Sequence, residues 1–87
     1  MTRAEKREYT RAAQTAMKEN GVKVYQKDMV LLEGGHRQED CWGTKVTMVD
    51  YVMFEDRATG RTWQCYWGAR YYNAERDTLW AVDEYTA

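Results

Sequence analysis

The chain of 87 residues has no proline, two cysteines, one histidine and one phenylalanine. Without proline, no turn can rely on a ring-fixed φ, so reversals of the chain fall to glycine, asparagine and aspartate. Cys41 and Cys65 are too few for a disulfide framework and read as free thiols of a cytoplasmic protein. No apolar run approaches the roughly 20 residues of a membrane-spanning helix. The polar, charged beginning MTRAEKRE lacks the apolar stretch of a secretory signal. Gly-rich phosphate loops and serine-nucleophile motifs are absent. The expectation is a non-enzymatic protein with no cofactor.

Charge of one sign is also lacking. The net charge is −1, so the chain as a whole is no polycation for nucleic acid. The distribution is uneven, however. Residues 1–20 carry five Lys/Arg against three Glu, whereas residues 73–87 carry Arg76 against four acids.

Aromatic residues make up 14 % of the chain, which favours a folded domain over a disordered adaptor. Thr2-Arg3-Ala4-Glu5 fits a capping box. Tyr9, Ala12, Ala13, Ala16 and Met17 then recur at the spacing of one helix face, and Asn20-Gly21 is a stop signal. A helix is therefore predicted over 3–20. Three alanines among its five inward positions let its axis lie close to whatever it covers.

After Gly21 the period changes to that of extended chain, with an apolar run ended by Gly34-Gly35. GGHRQEDCWG, residues 34–43, reads as a polar loop bracketed by glycines. TKVTMVDYVMFE, residues 44–55, is a strand rich in β-branched and aromatic types. Gly60 suits the left-handed position of a short hairpin loop. Residues 61–67 return as the next strand, and 78–85 form a last one. The predicted fold is α+β: a single domain over 1–87 with one N-terminal helix packed on a three- to five-stranded antiparallel sheet spanning 22–85.

The stretch TGRTWQCYWGARYY, residues 59–72, combines two Trp, three Tyr and two Arg. Alternation puts Trp63, Cys65 and Trp67 on one side of the strand, where they are expected to meet the helix. In 44–55, Val46, Met48, Asp50, Val52 and Phe54 fall on one side, and Thr47, Val49, Tyr51 and Met53 on the other. Both sides are largely apolar, yet one short helix covers only one. The uncovered face is thus expected to carry an apolar and aromatic patch of Tyr51, Met53, Tyr66 and Trp80, which suits a protein partner or a homodimer. A more curled sheet, or the 22–33 segment folded across that face, is the alternative. Trp42 completes the candidate partner-binding set if its loop is a contact loop and not a lid.

On the outward helix face Arg3, Arg7, Arg11 and Lys18, with Gln14 between, line up at intervals of three or four residues. With Arg70 and Tyr71 they compose a second candidate surface, for nucleic acid, against the plainer reading of a solvated face. His36, Glu39, Asp40 and Cys41 lie within six residues, but no C-x-x-C or H-x-x-x-H spacing is present, so no metal site is expected. Asp50, alone in an apolar strand, is expected to pair with Arg61 or Arg70 across strands. The size, the dense aromatics and the lack of catalytic spacing resemble in type the small phage-encoded or mobile-element proteins that bind and block a host factor. No motif carries that resemblance.

Overall fold

The structure is a computed structural model that describes residues 1–68 and 79–86. Helix α1, Arg3–Glu19, is followed by a 3-10 turn, Gln26–Asp28, and four strands: β1 Met29–Cys41, β2 Thr44–Asp56, β3 Arg61–Trp67 and β4 Trp80–Tyr85. The strands pair antiparallel in the order β1-β2-β3-β4, a meander with the helix on one face. This is the expected α+β architecture, with four strands.

The helix begins as the capping box predicts. The Thr2 backbone N–H donates to Glu5 Oε1 at 3.0 Å, and the Glu5 N–H donates to Thr2 Oγ1 at 3.1 Å. Asn20 caps the other end, with Gly21 at φ +69°. The Asn20 side-chain amide donates to the Ala16 carbonyl at 2.9 Å and to the Trp80 carbonyl at 2.8 Å, which ties the end of α1 to β4. Tyr9, Ala13, Ala16 and Met17 pack on Val49, Val52, Phe54, Cys65 and Trp80 to form the core. Trp63 and Trp67 border it, so the Trp63-Cys65-Trp67 line meets the helix as expected.

Two expectations fail for one reason. Residues 34–43 are not a loop: β1 runs through Gly34-Gly35 without a break, and only Trp42-Gly43 turn. The glycines serve close approach. A Cβ on Gly34 would overlap the Tyr9 ring, and one on Gly35 would lie 3.2 Å from Asp50 Oδ1. The extended run placed at 22–33 accordingly starts as strand only at Met29, after the 3-10 turn.

A bulge changes the faces of β2. Gly35 pairs with Tyr51 but His36 pairs with Val49, which leaves Asp50 as the extra residue. Below it Val52 and Phe54 face the helix as predicted. Above it the alternation reverses: Val49 enters the core, and Met48 and Val46 turn to the side of Tyr51 and Met53. Asp50 is thus at a backbone irregularity and not in a cross-strand ion pair with Arg61, whose guanidinium lies 3.8 Å from Glu84. Arg70 lies outside the described residues.

At the β2–β3 turn, buried Asp56 accepts from the Ala58 N–H and the Thr59 hydroxyl, both at 3.0 Å, and Gly60 takes φ +74°. The left-handed glycine predicted there is present.

Candidate interaction surfaces

Strand β3 pairs with β2 only from Tyr51 to Asp56, so among the described residues the far half of β2 pairs with β1 alone. The two form a ribbon that extends past the sheet. Every residue from Asp40 to Thr47 is exposed. At the tip, Trp42 has φ +55° and Gly43 φ +82°, the paired positive angles of a type I′ hairpin turn. The Trp42 side chain is 103 % exposed. It is no lid. The left-handed region is uncommon for a bulky residue and costs about 1–2 kcal/mol.

The root of this arm is tied to the helix. The Tyr9 hydroxyl and His36 Nδ1 are hydrogen-bonded at 2.9 Å, and His36 Nε2 lies 3.4 Å from Glu8 Oε1. Glu8, His36 and Tyr9 follow one another, and the series ends on Tyr9, a residue only 4 % exposed. Burial first, and then the charges of Glu5, Glu8 and Asp50, push the Tyr9 hydroxyl above its ordinary range. The arrangement ties the root of the arm to the helix. Sequence reasoning missed it, because Tyr9 and His36 are 27 residues apart; the one signal was a large ring on an alanine-rich stripe.

The face away from the helix carries three of the predicted partner-binding residues. Tyr51, Met53 and Tyr66 are half-buried there, and the Tyr51 and Tyr66 rings lie 5.2 Å apart. The Tyr66 hydroxyl donates to Gln64 Oε1. Burial, with Glu33 nearby, raises the Tyr51 hydroxyl. The bulge adds Met48 and Val46 to this side, which extends the apolar surface from the sheet along the arm toward Trp42. The fourth residue is misplaced by the sequence reading. Trp80 pairs with Trp67 and so shares the helix face; it is 5 % exposed and packs edge-on against Trp67 at 5.3 Å. It is a core residue.

The cysteines separate. Cys41 is exposed beside the tip, whereas Cys65 is fully buried, and burial pushes its thiol up to about 12. Among the described residues no group of three His, Cys, Asp or Glu side chains gathers as metal ligands would.

On the other layer, Arg3, Lys6, Arg7 and Arg11 line an open groove of about 440 Å³ with Thr10, Gln14 and Gln26. No acid lines it. Lys6, Thr10 and Gln26 also line an adjoining groove of about 340 Å³ that includes Arg57. Glu5 is engaged in the capping box, whose hydrogen bonds from Thr2 hold its carboxyl below the usual range, and Glu8 lies against His36. The glutamate that would dilute the cationic row is therefore turned away from it. Lys18 lines a separate groove with Lys23 further along the helix. Arg70 and Tyr71, the strand part of this predicted surface, lie outside the described residues.

The chain matches no protein-family model, no curated protein and no solved structure.

Proposed function

We propose that this chain is a non-enzymatic protein-binding domain whose contact surface is the hairpin tip and the open sheet face. The observation that carries the reading is Trp42. A large ring held fully in solvent, in a backbone region that a bulky residue avoids, is unfavourable for the isolated fold, and strain of this kind clusters at binding sites. Trp is also the residue type most enriched among interface hot spots. Tyr51, Met53 and Tyr66 add rings and a flexible thioether on one continuous side.

The partner is a protein with an apolar recess for the indole, bordered by a flatter surface for the tyrosines. Binding acts by occlusion: the arm fills the recess and keeps the partner's natural ligand out, as expected of a small phage-type blocking protein.

The test is calorimetry on a purified partner. Trp42→Ala should weaken affinity by at least about 2 kcal/mol, roughly thirtyfold, while thermal unfolding stays unchanged. Unchanged affinity in both Trp42→Ala and a Tyr51→Ala/Tyr66→Ala double variant would refute the reading. Sedimentation across protein concentration separates a second copy of this chain from a foreign partner.

A further inference from the structure

We propose that the groove along α1 is a second, independent site, and that it binds the phosphate backbone of nucleic acid without reading base sequence. Arg3, Arg7 and Arg11 recur every four residues, so they rise about 6 Å apart and form a row about 12 Å long. A row of that length spans about three phosphates at the spacing of one strand of a duplex. Lys6 adds a fourth cation, and Thr10, Gln14 and Gln26 supply neutral polar groups between the charges. All four cations are exposed, and among the described residues none makes an ion pair.

The placement is unfavourable for the helix itself. Cations in the first turn oppose the helix dipole and cost about 0.3–1 kcal/mol each. Arg3 and Lys6 stand there with Glu5, whose carboxylate is taken up by the Thr2 N–H, while Glu8 lies 3.4 Å from His36. The arrangement makes physical sense with an anion in the groove. A phosphate chain fits better than an acidic protein segment, because its charges repeat regularly and every unit presents oxygens to both guanidinium and amide donors.

The site is on the helix layer, whereas the protein-binding reading concerns the sheet face and the hairpin tip, so either can fail alone. Fluorescence polarisation with a short labelled oligonucleotide, single-stranded and duplex, tests it. Affinity for the duplex should fall about fiftyfold between 50 and 200 mM salt, a slope near −3. Arg7→Gln/Arg11→Gln should reduce that slope by about two, and Trp42→Ala should leave it unchanged. Gln forms helix nearly as well as Arg, and circular dichroism checks that the variants are folded. Arg3→Gln/Lys6→Gln is the second variant should the first fail to fold. No binding at 50 mM salt overturns the proposal. So does binding that persists in the folded variants, or equal competition by poly-glutamate at matched charge.

Discussion

Residues 51–56 and residues 44–48 belong to one strand and carry similar β-branched and methionine side chains, yet their surroundings are opposite. The first half of the pair lies between β1 and β3 under the helix, and Val52 and Phe54 are completely buried. The second half has β1 as its only partner strand among the described residues, and Val46 is 42 % exposed. Strand formation therefore does not require a core here. The type I′ turn and the ladder hold the outer half, while the bulge at Asp50 separates the two regimes. Stability is concentrated below the bulge, and exposed apolar surface above it.

The comparison can be broken most directly at Phe54. Phe54→Ala should cost about 3–5 kcal/mol in urea unfolding, because the cavity opens where α1, β2 and β3 meet. The matching change above the bulge, Val46→Ala, should stay within about 0.5 kcal/mol. Similar losses at the two sites would mean that the arm is part of the core.

Alkaline pH should act on the body alone. The Cys65 thiol is raised from 9.0 to about 12 by burial, so between those values the unfolded chain releases a proton that the folded chain retains. Stability from this group is complete below pH 9 and falls as pH rises, by about 1.4 kcal/mol per unit. Tyr9 and Tyr51 are raised as well and add to the loss in the same direction. Urea midpoints between pH 8 and about 10.5 should fall less steeply in Cys65→Ala than in the parent. Parallel slopes would remove the thiol from the account.

A smaller effect probes the joint. Gly34→Ala should cost about 1–3 kcal/mol, because the new methyl meets the Tyr9 ring. In a Tyr9→Ala background the same change should cost almost nothing, which a double-mutant cycle would measure. A penalty that survives there would place the constraint in the backbone and not in the ring.

The parts that were legible in the sequence are those set by near neighbours. The capping box, the Asn20-Gly21 stop and the Gly60 turn each depend on three or four adjacent residues. The Trp63-Cys65-Trp67 line followed from strict alternation. What could not be read depends on distant contacts. Gly34-Gly35 resembles a break because glycine usually ends strands, and only the arrival of Tyr9 from the helix explains it. The reversal at Asp50 comes from the pairing of β1 with β2 and has no local mark. For Trp80, residue type suggests a patch position, but the register against Trp67 decides which face it takes. In the candidate site, Tyr51, Met53 and Tyr66 were found by their type and alternation. The open tip of Trp42 required the turn angles to be known.

The length of the arm has a consequence for the shape of any partner. From Thr47 to the turn the ribbon advances roughly 10 Å, and two paired strands are only about 5 Å apart between backbones. The whole molecule, arm included, has principal extents of 43 × 36 × 22 Å, and the two-stranded ribbon is its narrowest projection. Under the proposed protein-binding reading, the ribbon sets how deep the contact reaches, and the sheet face behind it sets where it halts.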